Sequence, residues 1–320
     1  MFHYDRALKI TRSDVAVDAT HRQPRGFVSH AHSDHMARHQ LALCTPATAQ
    51  LYRLRLKGEA ILEMPYRKPV ECGPLRLTTY PAGHCLGSAM LLAEDGAQSL
   101  LYTGDFKLGA AATSEAAELP HADILVMETT YGVPRYRLPP REDVLDQMEA
   151  LMRSALAAGR MPVIYAYALG KSQEITKLLT ARGLPVRQHP QIAEVSRVYE
   201  QCGVDLGAYD VLTEQNMREP AVMIVPPRGS RSGRSFEFAW PVKFAVTGWS
   251  IDSATKYRLG VDHAMPISDH ADYDELFAAV EQVQPKVIYC THGPESFVDR
   301  LREAGHEAFP LGRAWQKRLF

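Results

Sequence analysis

SHAHSDH, residues 29–35, holds four potential metal ligands within six residues and follows directly on an apolar segment, Gly26 to Ser29. If that segment is a strand, His30 and His32 point to the same side, and Asp34 and His35 lie in the turn that follows. Imidazole suits Zn²⁺, and the carboxylate adds a harder oxygen ligand. A surface histidine cluster at a helix start is the alternative. Further segments along the chain favour the metal site.

Other apolar strands also have a histidine or an aspartate beside their ends. His84 lies between glycines just before a strand, Asp105 and His292 each follow a strand, and Asp18 closes another. Taken singly, a lone histidine is usually structural, and a Gly-Asp pair is usually a turn. Strand ends that converge at one edge of a sheet sandwich would form a preformed site. Two cations about 3.5–4 Å apart there would lower the pKa of a bridging water and clamp phosphoryl oxygens.

The rest of the chain alternates strand and helix patterns, which predicts an α/β fold. Short apolar runs between turn residues make the first third strand-rich, with one helix near Pro46 to Leu56. From Arg141 to Gly159 the apolar residues recur at helical spacing. Strands and helices then alternate as far as a last helix over Glu295 to Ala304.

Size and composition limit the classes of protein. The 320 residues, 46% of them hydrophobic, suit one large domain or two smaller ones. Lys and Arg total 36 against 37 Asp and Glu, which argues against a basic coat for nucleic acid but allows a local basic track. The five cysteines are odd in number and include no CxxC pair, which indicates reduced thiols. Without an apolar leader or a membrane-spanning run, we expect a cytoplasmic protein with no membrane partner.

Taken in order, the motifs HxHxDH, GH and GD resemble those of the metallo-β-lactamase superfamily. METTYG at 127–132, SDHAD at 268–272 and THG at 291–293 resemble motifs A, B and C of its β-CASP nucleases. That family includes Artemis-type DNA repair nucleases, RNase J and the mRNA 3′-end cleavage factors. GHCLGSAM, YTGDFK, ETTYGVPRYRLPP and YALGKSQE look like the bacterial ligase-associated DNA exonucleases. The resemblance runs from about residue 10 to residue 310.

The resemblance implies an α/β fold, an αββα metallo-β-lactamase sandwich with a small inserted α/β cap, the β-CASP cassette. The core would comprise residues 1–135 and 265–320, and the cap residues 136–264. Single-stranded nucleic acid is expected in the cleft between core and cap.

Two divalent ions are also implied by the resemblance. Zn²⁺ is the expected metal, and Mn²⁺ accepts the same ligand types. One ion would be held by His30, His32, His84 and Asp105. The other would be held by Asp34, His35, Asp105 and His292, with Asp105 bridging the two and Asp34 also assigned to catalysis. Asp18 would support the histidines from behind; a plain turn carboxylate is the alternative.

Glu128 and His270 resemble the family pair beside the leaving group. His270 would protonate the leaving oxygen or bind the scissile phosphate, and Glu128 would orient it. A helix-cap or turn acid is the alternative for Glu128. The family often has alanine where this chain has Asp269, and an extra carboxylate there favours a protonated His270.

Contacts with the nucleic acid are expected from a strand–turn–helix, from a loop and from an aromatic residue. Amides and the lysine at the strand–turn–helix could meet a phosphate, the loop arginines could follow a backbone, and the tryptophan could stack on a base. These residues are Lys171, Ser172, Arg228, Arg231, Arg234 and Trp249. Solvated charges, and core packing for the tryptophan, are the alternatives.

The resemblance therefore implies a metal-dependent nuclease, a hydrolase of phosphodiester bonds that uses a hydroxide activated by two metals. The narrower resemblance favours a DNA exonuclease in DNA repair, functionally associated with a DNA ligase and a helicase. An RNA-processing endo- or exoribonuclease is the alternative, because both use the same metal clamp. A small-molecule metallohydrolase is the second alternative, against which motif B and the cap argue.

Overall fold

The computed structural model describes residues 1–57, 60–227 and 236–312, which divide into two compact units. The larger unit comprises Met1–Pro134 and the described chain from His270 onward, and the smaller comprises Arg135–Asp269. Each unit contains a hydrophobic core of its own. The cap expected at residues 136–264 stays a prediction.

Strands and helices alternate along much of the described chain. The strands are β1 (Phe2–Tyr4), β2 (Leu8–Ile10), β3 (Val15–Val17), β4 (Arg25–Phe27), β5 (Leu41–Cys44), β6 (Ile61–Glu63), β7 (Val70–Cys72), β8 (Leu75–Pro81), β9 (Ala89–Glu94), β10 (Ser99–Tyr102), β11 (Ile124–Glu128), β12 (Met161–Tyr165), β13 (Val186–Gln188), β14 (Asp210–Val211), β15 (Val222–Val225), β16 (Pro241–Val246), β17 (His263–Met265), β18 (Val287–Thr291) and β19 (Ala308–Pro310). The helices are α1 (Pro46–Leu56), α2 (Arg141–Ala157), α3 (Lys171–Ala181), α4 (Pro190–Gln201), α5 (Thr255–Leu259), α6 (Tyr273–Val283) and α7 (Glu295–Glu303), with a 3-10 helix over Gly248–Ile251.

Two sheets form the centre of the larger unit. The first has the order β1-β2-β3-β4-β5-β6 and the second the order β19-β18-β11-β10-β9-β8-β7. Successive side chains of a strand point to opposite faces of its sheet. Phe27 and Leu43 of the first sheet belong to one buried cluster that also contains residues of the second sheet: Leu77, Leu91 and Tyr102. These side chains therefore lie on the faces that the two sheets turn towards each other. The prediction of a two-sheet α/β fold is confirmed.

Helices α6 and α7 cover the other face of the second sheet. Leu276 and Val280 of α6 and Phe297 of α7 pack with Leu101 and Met127, which point away from the first sheet. A capping box begins α6, because the Asp272 side chain accepts from the backbone amides of the first turn while Glu275 bonds back to the amide of Asp272. This packing holds the segment just before α6 against the second sheet.

The smaller unit contains a parallel sheet of order β14-β13-β15-β12-β16-β17. Parallel neighbours need crossover connections, which α3 and α4 help to supply here. One face of the sheet packs on helices through Leu145 and Met148 of α2 and Ile175 of α3, which cluster with Ile164 and Phe244. The strands of a covered parallel sheet have nearly continuous apolar sequences.

Some sequence predictions were wrong at element ends. The strand expected from Gly26 to Ser29 is β4, which begins at Arg25 and ends at Phe27. The backbone N–H of Ser29 donates to Asp18 Oδ1 at 2.8 Å instead of to a neighbouring strand. The three-residue strands β1 and β2 were not predicted, because so short a segment has no measurable alternation.

The cysteines pack as small apolar residues. No disulfide joins the five cysteines, all of which lie in described residues. Burial raises the pKa of the Cys44 and Cys290 thiols to about 12, so both stay protonated. Within the described ranges, no helix has the length and apolar character needed to cross a bilayer.

Candidate metal centre

The carboxyl ends of three parallel strands meet at one edge of the second sheet. Strand β11 pairs in parallel with β10 on one side and with β18 on the other. Asp105 follows β10, Glu128 is the last residue of β11, and His292 directly follows β18. His30 and His32 follow β4 of the first sheet. The sandwich thus brings side chains distant in sequence to one point.

Gly104 lets the backbone turn between β10 and Asp105. Its φ of 57° lies in the left-handed region, which L side chains adopt only with strain. A Cβ on Gly104 would also lie 2.8 Å from Cβ and Oγ of Ser29. Glycine at this position therefore allows the two sheets to approach each other at the site.

We expect Gly104→Ala to lower the free energy of unfolding by about 2–4 kcal/mol, from backbone strain plus overpacking against Ser29. Urea denaturation measures this loss. Gly96→Ala is the matched control, because Gly96 also has positive φ (84°) but a Cβ there would meet nothing within 4 Å. Equal losses in the two variants would remove the contact with Ser29 from the explanation.

His30, His32, His84 and Asp105 offer ligand atoms that all lie within 4.8 Å of one another. His32 Nδ1 lies 3.0 Å from His30 Nε2 and 3.2 Å from His84 Nε2. Asp105 Oδ2 lies 3.6 Å from His30 Nε2. Two ligands bonded to one tetrahedral Zn²⁺ at its usual bond lengths lie about 3.3 Å apart. The spacing of this group therefore fits one ion.

His35, Asp105 and His292 form a second group within the same limit. His35 Nε2 lies 3.2 Å from Asp105 Oδ2, and His292 Nδ1 lies 3.9 Å from Asp105 Oδ1. Asp34, predicted as a ligand here, is not brought into the group. Its side chain is 79% exposed, with Oδ2 at 3.9 Å from His35 Nε2. Asp105 is the residue that the two groups share.

The hydrogen bonds of His30 leave its Nε2 as a ligand atom. Ser29 Oγ donates to Asp18 Oδ2 at 2.6 Å, so it accepts from His30 Nδ1–H at 2.9 Å. The His30 lone pair is then on Nε2, the atom that faces His32 and Asp105. Burial, and after it the neighbours His35, His84 and His32, lowers the pKa of His30 well below its usual value. A neutral imidazole is the form that binds metal.

Asp18 forms hydrogen bonds with residues in and beside the two groups. Besides the two bonds from Ser29, its carboxylate accepts from Tyr102 Oη at 2.9 Å and from His35 Nδ1 at 2.8 Å. The last bond turns His35 Nε2 towards Asp105. Ser29 and Tyr102 were not predicted to have a role. Both lie within three residues of a predicted ligand, the only sequence signal that could have indicated them.

We expect Asp18→Ala to weaken Zn²⁺ binding by about 10–100-fold, because partners of this kind fix the tautomer and direction of a metal-binding imidazole. Competition with a chromogenic chelator measures the affinity. Tyr102→Phe removes one of the bonds to Asp18 and should have a smaller effect. Unchanged affinity in Asp18→Ala would make the carboxylate a plain turn residue.

Metal binding should release a proton from His35. Burial lowers the pKa of His35, but Asp105 and Asp18 outweigh burial and raise it well above its usual value. Burial raises the pKa of Asp105, yet His35, His270 and His30 lower it well below the usual value, so Asp105 stays ionised. At neutral pH a cation reaching Nε2 of His35 must therefore displace a proton.

The apparent affinity for Zn²⁺ should consequently rise with pH until the pH exceeds the pKa of metal-free His35. Calorimetry in two buffers of different ionisation enthalpy counts the protons released. An affinity that is flat from about pH 6 to pH 8, with no proton release, would contradict this expectation.

The buried Glu128 and the partly exposed His270 form a pair beside the first group of residues. His270 Nδ1 lies 2.9 and 3.0 Å from the two carboxylate oxygens of Glu128. Glu128 also accepts from the backbone N–H of Phe106 and from the hydroxyl of Thr130. The ring centroids of His270 and His84 are 4.8 Å apart. Glu128 thus fixes the direction of His270 from inside the protein.

The expected nucleic-acid contacts belong to the smaller unit. Lys171 is buried, with Nζ 3.1 Å from Asp269 Oδ1 and 3.2 Å from the carbonyl oxygen of Ile267. Asp269, the departure from the family pattern, therefore already has a cationic partner. Ser172 is buried and donates to the carbonyl oxygen of Tyr167. Phosphate contact by Lys171 and Ser172 stays a prediction.

Trp249 is partly exposed, and its ring meets that of Tyr136 edge-on at 5.0 Å between centroids. The loop arginines Arg228, Arg231 and Arg234 lie outside the described residues.

Comparison with known proteins gives matches over most of the chain. Residues 259–313 match the family model described as the Zn-dependent metallo-hydrolase RNA specificity domain. The chain is 40% identical over 310 residues to a probable DNA ligase of Opitutus terrae, covering 95% of this chain and 30% of that protein. It is 30% identical over 321 residues to the 5′ exonuclease Apollo of Gallus gallus, and the match covers 89% of this chain and 62% of that protein.

The endoribonuclease YSH1 of Yarrowia lipolytica is 25% identical over 300 residues, which cover 75% of this chain and 36% of the relative. The chain thus spans less than two thirds of the length of each of these relatives. A crystal structure of a protein of unknown function from Enterococcus faecalis V583 superposes with a TM-score of 0.62 at 15% identity, over 90% of this chain and 79% of that one. At that identity the likeness concerns the fold alone.

Proposed function

We propose that this chain, which belongs to the β-CASP family of the metallo-β-lactamase superfamily, is a nuclease that hydrolyses phosphodiester bonds with two divalent ions. The observation that supports this proposal most is the position of Asp105. One of its oxygens lies 3.2 Å from His35 and 3.6 Å from His30, and the other lies 3.9 Å from His292. A carboxylate within reach of both histidine groups can bridge two cations.

Two ligand sets follow from this proposal. The first ion would be held by His30, His32, His84 and Asp105. The second would be held by Asp34, His35, Asp105 and His292, for which Asp34 must turn inward from its exposed position. Nitrogen-rich sets suit Zn²⁺, and Mn²⁺ is the second candidate. When bound, such a pair supplies a water of lowered pKa and neutralises charge on the phosphodiester.

His270 and Glu128 would assist departure of the leaving oxygen. Because His270 Nδ1–H donates to Glu128, Nε2 is the ring nitrogen that can carry a proton to the leaving group or bind the phosphate. Burial of Glu128 keeps its carboxylate from reaching substrate itself. It is a positioning residue in this proposal, and His270 is the catalytic one.

DNA is the polymer that we propose, with exonucleolytic cleavage in DNA repair as the activity. Relatives named as a probable DNA ligase and a 5′ exonuclease, both at 30% identity or more, support this choice. A cytoplasmic location and functional association with a ligase and a helicase belong to the same proposal. The relative named as an endoribonuclease and the matched RNA specificity model favour RNA as the second candidate.

A gel assay on matched DNA and RNA strands tests the proposal. Single and double strands, labelled at the 5′ or the 3′ end, are incubated with chelator-treated protein and with protein reloaded with Zn²⁺ or Mn²⁺. We expect metal-dependent shortening of DNA from one end. His32→Ala should be inactive, because it removes the ligand that lies between His30 and His84.

Each alternative gives a different pattern. Cleavage of RNA alone would exclude the DNA proposal but keep the metal mechanism. Hydrolysis of small esters or lactones, with both polymers untouched, would favour the small-molecule hydrolase instead.

A further inference from the structure

A cavity of about 580 Å³ lies within the smaller unit, and among the described residues that were assigned a role above only Trp249 lines it. Its wall includes Tyr165, Tyr167, Thr247, Trp249, Arg258 and Leu259. That volume is in the range of sites that hold small ligands.

The cavity lies where the topology of the parallel sheet favours a ligand site. Tyr165 ends β12 and Thr247 follows β16, so the cavity opens at the carboxyl ends of these two neighbouring strands. After β12 the chain continues to β13, which lies in the sheet on the side of β12 away from β16. After β16 it continues to β17, which lies on the side of β16 away from β12. Connections that leave in opposite directions open a crevice between the strand ends, where ligands of such sheets bind.

The chemistry of the wall indicates a flat, aromatic ligand that carries negative charge. Tyr167 is 69% exposed and Trp249 is 41% exposed, both unusually high for large aromatic residues. Arg258 supplies a cation, and its side chain is 61% exposed. Its Nη2 donates to Asp252 and to Thr255. The guanidinium also carries N–H donors on Nε and Nη1, which can bind an anion.

We propose that this cavity binds one nucleobase of the nucleic-acid strand, stacked on Tyr167 or Trp249, while Arg258 binds a neighbouring phosphate. This inference rests on the proposed nuclease function and adds a subsite for the strand within the smaller unit. Stacking on an aromatic ring accepts any base, because every base has a π-face. The site would therefore hold the strand without selecting its sequence.

Binding of normal and abasic strands tests the inference. Metal-loaded full-length protein is titrated into labelled phosphorothioate strands of about 12 nucleotides, a length within the usual range of single-strand sites. One strand is oligothymidylate and the other is abasic throughout, and fluorescence anisotropy gives Kd. We expect wild type to favour the strand with bases by about tenfold or more, as stacking of one base allows.

The variant that lacks the stacking ring, Tyr167→Ala or Trp249→Ala, should lose most of that preference while binding the abasic strand as wild type does. Tyr167→Phe keeps the ring and should restore the preference. Tyr257→Ala is the matched control, because Tyr257 is 76% exposed and precedes Arg258 in α5 but does not line the cavity. Arg258→Gln should weaken both strands alike and make binding less sensitive to salt.

A preference for bases that survives in Tyr167→Ala and in Trp249→Ala would overturn the inference. A preference lost equally in Tyr257→Ala would overturn it as well. Both outcomes are independent of the nuclease function, which cleavage of ordinary strands by wild type tests separately. Binding of free nucleotide that does not compete with the strand would assign the cavity to a soluble ligand, and so also contradict the proposal.

Discussion

Asp105→Ala is expected to lose both metals and to lose cleavage of any nucleic acid by at least about 10³-fold. Asp105 is the one described carboxylate that lies within 4 Å of histidines from both groups. Its removal leaves each group without the carboxylate that the two groups share. Elemental analysis of the purified variant gives the metal content, and the end-labelled strand assay gives the rate.

Asp299→Ala is the matched control for this loss. Asp299 is an exposed aspartate of α7 whose described partner is Arg302, an i,i+3 neighbour on the same helix. Such a surface pair contributes little to stability. The control should keep both metals and full activity. An Asp105→Ala protein that stays folded, metal-loaded and active would refute the ligand sets.

His270→Ala is expected to keep its metal and to lose turnover by about 10²–10⁴-fold, the contribution of a positioned proton donor. Its Nδ1 is occupied by Glu128, so the ring offers only Nε2 towards the reaction. Single-turnover cleavage of a labelled strand measures the loss. Elemental analysis of the same preparation measures the metal content.

Two further measurements separate proton donation from metal binding. Metal loss in His270→Ala would make this histidine a ligand, as its closeness to His84 and Asp105 allows. His306→Ala, in the turn after α7, is a histidine substitution outside the site and should leave both readouts unchanged. Glu128→Gln should act in the same direction as His270→Ala but more weakly, because an amide still positions the ring.

The parts of the site that were predictable from the sequence are those with a local signal. HxHxDH needs only the spacing of one segment, and Asp105 and His292 each follow a recognisable apolar strand. Parallel pairing then brings such strand ends together without further information. The fold class was predictable for the same reason, since alternating strand and helix patterns indicate layered α/β units.

The supporting contacts were not predictable, because they depend on tertiary packing. Tyr102 reaches Asp18 across 84 positions of sequence, and no periodicity relates the two. The ion pair of Lys171 with Asp269 likewise joins residues that are distant in the sequence, and no local pattern indicates it. The motif HxHxDH does not distinguish one potential ligand from another, so it does not predict that Asp34 is exposed.

Anomalous diffraction from crystals of Zn²⁺-loaded protein, collected at the zinc edge, tests most directly whether two cations share Asp105. The proposal predicts two peaks about 3.5–4 Å apart. One should lie among His30, His32 and His84, and the other beside His35 and His292. A single peak, or zinc bound away from Asp105, would contradict the dimetal site and the hydrolytic function built on it.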